Sequence, residues 1–537
     1  MITADNATWL WKQASTEAFL YARRTSAQAD RLAGKTVLIV GGGTAGYLTA
    51  LAFRRHTAAS VRLVESTAIP HIGVGEATVP SIAPFLHSYL GIDTAEFYRV
   101  VRPTWKLGIK FDWGLPHPYY FLAPFDWGVD SIGALGSLRE HGTLNEMSLG
   151  ALLMDTDKVP LSRLQDGNLA SLLPLLPVAY HFDVSRLIGF LSRLAGDRGV
   201  EHIDAVVRDV RLGEDGNVEA IATDAGDLEA DFFVDCSGFR SLIIGQALGS
   251  RFLSFESSLF TDCALAFERP HGGHVKPYTT ATTMDCGWTW TIPQQDQDHC
   301  GYVFSSQFCT QAAAEAELTR RFGAPANPPR LVRFKSGRRE RSWIRNAAAI
   351  GNASGFVEPL ESTGLLMTAE SIRLLIDAVV SSSDWAKTSA RYNIKTGEAW
   401  DGLRWFLSLH YRFNHASDTP FWRTARADTD CSGAAEVLDE FRERAPLRLR
   451  DAAAIRKLGS AASVLFYGLP GIDCILFGQR VPTTVWPSIE DHSAWQTRRD
   501  TARRLIASAL SMREALEVPN LAAYHDLAVK ARHGLLT

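Results

Sequence analysis

Apolar and polar positions divide this 537-residue chain into a strand-rich first part and a helix-rich last part. Lys35 to Val40 (KTVLIV) is a short apolar run rich in β-branched residues. A glycine cluster follows at once, then YLTALAFRRH with helical character, then Val61 to Glu65 (VRLVE), a second run ending in an acid. This succession predicts a βαβ unit. From Thr104 to Phe111, Trp105, Leu107, Ile109 and Phe111 alternate with Lys106, Gly108 and Lys110, which predicts one strand with the lysines turned away from the aliphatic core side. Between 202 and 235, IDAVVRDVRL, a turn at Glu214-Asp215-Gly216-Asn217, VEAIATD and ADFFVD read as successive strands. From about residue 370 the pattern turns helical: ESIRLLIDAVVSS, an aromatic stretch from Trp400 to Tyr411, and an amphipathic tail from about Ile489 to Leu516. Residues 1–33 place Trp9, Leu10, Phe19, Leu20 and Tyr21 among polar positions and predict a helical extension packed on the main fold. The fold class is therefore mixed α/β.

Composition narrows the partners. The chain is 46% hydrophobic and 21% charged, with net charge −4 and no polybasic run, which argues against nucleic acid and anionic membranes as partners. It shows no apolar run of the ~18 residues that a spanning helix needs, and no basic-then-apolar leader, so neither a membrane segment nor a signal peptide is expected. Seven cysteines, an odd number with no C-x-x-C spacing, read as reduced thiols in a cytoplasmic protein with no zinc site and no disulfide framework.

Gly41, Gly43 and Gly46 make a G-x-G-x-x-G that sits between a strand and a helix, as nucleotide binding requires. Gly41 allows the tight turn, Gly43 lets backbone approach a pyrophosphate, and Gly46 lets helix pack on strand. Thr44 and Ala45 complete the turn, whose helix N-terminus offers N–H groups to phosphate. Glu65 ends the second strand where ribose hydroxyls would lie. Two features favour FAD over NAD. The hairpin feeding VDCSG resembles the later part of the glutathione-reductase-like FAD fold, and Ala349-Ile350-Gly351-Asn352-Ala353-Ser354 resembles its second fingerprint, with Asn352 where Asp is usual. No second G-x-G-x-x-G is present, so reduced flavin is expected to come from a separate NAD(P)H-dependent flavin reductase.

Gly287 to Pro293 contains W-x-W-x-I-P (Trp288, Trp290, Ile292, Pro293), and this resembles the signature of the flavin-dependent tryptophan halogenases. The match extends to the Ile72–Pro80 segment (IGVGEATVP), similar to the family's flavin strap, and to the Phe356–Gly364 segment (FVEPLESTG), similar to its halide and catalytic segment. Tyr180–Asp183, Val234–Arg240 and Asp418–Trp422 follow in family order, so the resemblance covers roughly residues 35–425. It implies FADH2, O2 and chloride or bromide as co-reactants. It implies flavin contacts at Gly75, Glu76, Ala77, Val207, Leu360 and Leu365, and halide binding by the backbone N–H groups of Thr363 and Gly364. Hypohalous acid would travel to Lys106, and Glu361 would serve the substrate ring; Glu358 is read as structural and Lys110 as a bystander. Taken as a strand residue alone, Lys106 would be a solvated edge charge.

The resemblance also implies a substrate class. Family members that act on free tryptophan carry a Tyr-Tyr pair and an acid near the C-terminus. Residues 461–470 (AASVLFYGLP) lack that pattern, and Phe121 to Phe125 lacks the family's histidine. The expected substrate is therefore the indole of tryptophan in a peptide or another elaborated aromatic, as in the lanthipeptide branch, with Phe121, Phe125, Phe466 and Tyr467 lining its pocket. A free-tryptophan halogenase and an FAD-dependent aromatic hydroxylase are the alternatives, and a homodimer is possible. Three regions are expected: a helical extension over 1–33, an FAD-binding and catalytic module over 34–115 plus 180–380, and a mainly helical substrate-side region over 116–179 plus 381–537.

Overall fold

The computed structural model describes residues 31–69, 75–126, 131–325, 327–381, 384–447, 468–484 and 492–532. The extension over 1–33 thus falls almost wholly outside the described residues, as do Phe466 and Tyr467. The first elements are as the pattern predicts: β1 (Thr36–Val40), α1 (Thr44–His56) and β2 (Ser60–Glu65). β1 and β2 pair in parallel, with Val37 beside Val61 and Val40 beside Val64. Val37, Leu38 and Ile39 are all fully buried, so β1 is covered on both faces and its near-continuous apolar run follows. Strands Glu201–Asp204 and Phe232–Asp235 flank this pair in parallel, Ala347–Ala349 adds to the latter, and antiparallel Trp343–Ile344 closes the six-stranded sheet.

IDAVVRDVRL does not form one strand. Glu201–Asp204 belongs to the parallel sheet, whereas Val207–Leu212 pairs with Val218–Thr223 in a separate antiparallel meander completed by Gly226–Glu229. The Val206 N–H bonds the Asp224 carboxylate at 2.8 Å, which turns the chain out of the first sheet.

Thr104 to Phe111 is likewise two strands. β3 (Gly75–Ala77) and β4 (Thr104–Lys106) both pair with β6 (Ala179–Asp183), while β5 (Gly108–Asp112) joins a seven-stranded sheet between Thr279–Met284 and Phe121–Pro124. The break falls at Leu107, whose N–H bonds the Pro277 carbonyl and whose carbonyl accepts from Phe125, so the ladder is interrupted on both sides. The W-x-W-x-I-P segment is β7 (Gly287–Pro293) in that same sheet, paired with Asp298–Phe304.

The last part is helical, led by α2 (Gly364–Ser381) and the 28-residue α3 (Trp385–Arg412), which carries the whole aromatic stretch. The tail is not one helix. His492–Ile506 ends, Ala509–Ser511 pairs with Lys158–Arg163, and a capping box between Ser511 and Glu514 starts a new helix over Met512–Leu516. Residues 116–179 combine helices over Ser131–His141 and Leu149–Asp155 with strands over Phe121–Pro124, Lys158–Arg163 and Leu169–Ser171. The main core runs from Leu32 to Leu521 and is shared by these regions, with smaller clusters around Phe233 and around Tyr302. Among the described residues, no helix is long and apolar enough to cross a membrane.

Candidate active site

The glycine turn opens one side of a cavity with a volume of ≈ 460 Å³. Gly41 lies at φ +118°, and a side chain there would drive its Cβ to 2.3 Å from the Cys236 carbonyl oxygen. A Cβ on Gly46 would stand 1.8 Å from the Gly41 oxygen, so helix–strand contact needs glycine there. Gly43 faces open space, and a Cβ on Gly42 would overlap the Glu65 carboxylate at 1.5 Å. A side chain at Gly42 would therefore have to displace the Glu65 carboxylate, which the motif, treating that position as variable, does not reveal. No side chain caps α1 and no acid lies in its first turn, leaving its N-terminal N–H groups facing the cavity. Glu65 lines the cavity and accepts from the Tyr47 hydroxyl and, at 3.0 Å, from His202.

Gly41, Gly43, Thr44, Ala45, Gly75, Glu76, Ala77, Val207, Gly364 and Leu365 all line this cavity. Gly46 does not, because it faces the Gly41 carbonyl, and neither does Leu360, which is buried at 1% exposure in the core. Gly351, at φ +66°, brings the second fingerprint against Ala45, and Asn352 lines the wall. Trp290 and Ile292 from β7 line it from the far side.

Lys106 does not line the cavity and is fully buried. Its side chain does leave the aliphatic face, but the opposite face is covered by the EPLESTG turn rather than by water. Its Nζ donates to Ser362 Oγ at 2.7 Å and stands 5.4 Å from the Phe125 ring centre. Burial pushes the Lys106 ammonium down to about 7, against the attraction of Glu361 and Glu76. Burial likewise pushes the Glu76 carboxyl up to about 7, against Lys106. Lys110 is half-buried, 3.9 Å from Asp112 and over the Tyr120 ring.

Glu361 is 7% exposed and accepts from His410 Nε2 at 2.7 Å. Ser362 adopts φ +59°, Thr363 is buried, and Gly364 is the first residue of the 18-residue α2. Ser362 therefore links Lys106 to the cavity: its side chain takes the Lys106 bond and it lines the cavity. Sequence reasoning passed over Ser362 and His410. The signal for Ser362 was present, since it stands between Glu361 and Thr363; nothing in the pattern around His410 marked it. Phe125 faces Lys106, whereas Phe121 is fully buried, stacked on Phe111 at 5.0 Å, and belongs to the core behind the pocket.

A model of the tryptophan halogenase family matches residues 36–494. The chain belongs to that family. The tryptophan 6-halogenase SttH of Streptomyces toxytricini is 35% identical over 450 residues, 77% of this chain and 84% of that protein. The tryptophan 7-halogenase RebH of Lentzea aerocolonigenes is 32% identical over 464 residues, 80% of this chain and 85% of its own. Among solved structures, MibH, a lanthipeptide tryptophan 5-halogenase, has a TM-score of 0.87 at 49% identity, covering 94% of this chain and 97% of that one. This protein is accordingly a flavin-dependent tryptophan halogenase.

The halogenase's cavity fits a dinucleotide: enforced glycines at Gly41 and Gly46, open space at Gly43, free helix N–H groups and an acid at the end of β2. Gly46→Ala tests that assignment. The added methyl would press on the Gly41 carbonyl and displace the turn, at a cost in stability of about 1–3 kcal/mol; FAD affinity in a fluorescence titration should fall with it, about tenfold if the displaced turn forfeits about 1.4 kcal/mol of binding. Unchanged affinity would place the flavin elsewhere.

Proposed function

We propose that this halogenase binds FADH2 through the glycine turn of a glutathione-reductase-like FAD fold and transfers halogen, at Lys106 and Glu361, to the indole of a tryptophan carried in a peptide. The observation that carries the reading is the division of the site. Lys106 and Glu361 do not line the cavity, whereas Ser362 both lines it and bonds Lys106. The six-stranded parallel-dominated sheet with its antiparallel meander supports the FAD fold.

When bound, reduced FAD supplies, with O2 and halide, the oxidised halogen as hypohalous acid. The amides of Thr363 and Gly364, at the start of α2, hold the halide, because free N–H groups at a helix N-terminus attract anions. Lys106 donates a hydrogen bond to the oxidant and makes its halogen more electrophilic. The Glu361 carboxylate stabilises positive charge on the ring and takes the proton that the halogen displaces. With Lys106 and Glu361 set outside the flavin cavity, the indole is kept away from the flavin, so hydroxylation is avoided.

Two points support a peptide rather than free tryptophan: the similarity to MibH, and the lack, in the 461–470 and 121–125 segments, of the Tyr-Tyr-acid pattern and the histidine that would hold a zwitterion. The test is a panel of tryptophan-containing peptides, free tryptophan, indole and a phenol. Each is incubated with a flavin reductase, FAD, NADH and chloride or bromide, and products are weighed by mass spectrometry. A halogenated peptide formed about tenfold or more faster than halogenated tryptophan is expected. Equal or faster reaction of free tryptophan would contradict the peptide assignment, and an oxygenated product would favour the hydroxylase.

A further inference from the structure

The W-x-W-x-I-P strand and the aromatic stretch of α3 are prominent in the sequence, yet neither takes part in the chemistry above. They meet at one buried carboxylate. Glu358 is fully buried and lies three residues before Glu361. Its Oε1 accepts from Trp288 Nε1 at 3.0 Å and from the Tyr411 hydroxyl, and its Oε2 accepts from the Thr261 hydroxyl. The donors come from β7, from α3 and from the segment leading into Cys263–Arg269. Burial pushes the Glu358 carboxyl above its ordinary value, and the bonds from Thr261, Tyr411 and Trp288 pull it back. A carboxyl group withdrawn from water is tolerated where donors surround it in this way. A backbone carbonyl would have satisfied Trp288 or Tyr411 singly. A carboxylate accepts all three donors together and so ties three elements to one point of the EPLESTG turn.

The neighbouring residues give that tie its consequence. His410 precedes Tyr411 on α3, and its Nε2 holds Glu361 while its Nδ1 faces the Phe406 carbonyl at 3.1 Å. Successive residues of one helix therefore grip both acids of the turn. Between those acids the Ser362 N–H closes onto the Pro359 carbonyl at 3.0 Å, and Ser362 sits in the left-handed region at φ +59°. A non-glycine residue keeps that conformation where its surroundings impose it. Ser362 in turn receives Lys106. Trp288 and Tyr411 do not line the flavin cavity.

We propose that Trp288 and Tyr411 are positioning residues for halogenation: through Glu358 they fix the turn that presents Glu361, Ser362 and the Gly364 amide between Lys106 and the flavin cavity. This rests on the assignment of halogen transfer to Lys106 and Glu361. It gives the first tryptophan of the signature strand a task, namely holding the catalytic turn from behind.

Trp288→Phe keeps the ring and removes the N–H. In the full-length enzyme supplied with reductase, FAD and NADH, its FAD affinity should stay within about twofold of wild type. Its kcat should fall about 10–100-fold, the penalty for misplacing a catalytic group by a fraction of an ångström to an ångström. Its halide KM should rise as well, because the Gly364 amide moves with the turn. Adding Glu358→Gln should cause no further loss beyond Glu358→Gln alone, since the tryptophan acts through that carboxylate. Tyr411→Phe reports on the same tie if the Glu358 variant does not fold. A purely structural role would lower the melting temperature and leave kcat and halide KM of the folded enzyme unchanged; that result, or an additive double variant, overturns the proposal. If instead Lys106→Met remains active, the assignment of halogen transfer fails, whatever the Trp288 variant does.

Discussion

Lys106→Met is expected to abolish indole halogenation while leaving FAD bound, with a loss of about 10³-fold or more when a group assisting the reacting atom is removed. Lys106 is fully buried and does not line the flavin cavity, so its replacement should spare the cofactor. Methionine fills nearly the same volume and is neutral. Burial already disfavours the ammonium, pushing it down to about 7, so removing the charge should hold or raise the melting temperature. The same depressed value sets a pH dependence. The ammonium is the form that donates to the oxidant, so kcat should fall as pH rises through about 7. Glu76 attracts the ammonium, and Glu76→Gln should therefore shift that limb to lower pH. Initial rates by liquid chromatography and mass spectrometry, FAD fluorescence titrations and thermal melts check these expectations. A rate that rises through pH 7 would identify the neutral amine as the acting form.

Glu361→Gln is expected to lower kcat about 100-fold with a much smaller change in KM, the pattern for a group that acts in the transition state. The amide has the shape of the acid, and its oxygen can still accept from His410 Nε2, whose bond to Glu361 is 2.7 Å. What is lost is the negative charge beside the developing ring cation and the ability to take its proton. Steady-state kinetics with a saturating halide concentration make the comparison. Wild-type kcat in Glu361→Gln would remove this residue from the chemistry.

The extent to which these features were legible follows from what periodicity encodes. The βαβ unit was readable because a strand covered on both faces, an enforced glycine turn and an acid-ended second strand each leave a local mark; the packing of Val37, Gly46 and Glu65 agrees with that. The alternation around Lys106 told which face the lysine takes and nothing about what covers it. That cover is Ser362, 256 residues on, and no local pattern announces it. The break at Leu107 escaped for the same reason, since its hydrogen bonds go to Pro277 and Phe125 rather than along the strand. Phe121 looked like pocket lining because aromatic residues suit a pocket and a core equally, and its stack on Phe111 places it in the core. The strands within 116–179 left little mark beside its helices, because short strands that borrow partners from elsewhere, such as Lys158–Arg163 beside Ala509–Ser511, carry little signal of their own. The tail broke where a Ser–Glu capping box interrupts it, a signal that was present and outweighed by the amphipathic period.

The central claim is a division of labour: oxidised halogen is made in the flavin cavity and used at Lys106 and Glu361. The most direct test is a mass balance on Lys106→Met and wild type, counting NADH consumed, free hypohalous acid trapped by a dissolved scavenger, and halogenated peptide formed. The account predicts that wild type places the halogen on the peptide, whereas Lys106→Met still makes hypohalous acid, loses it to the scavenger and yields no halogenated peptide. Halogenated peptide from Lys106→Met at the wild-type yield, with no rise in trapped oxidant, would contradict it.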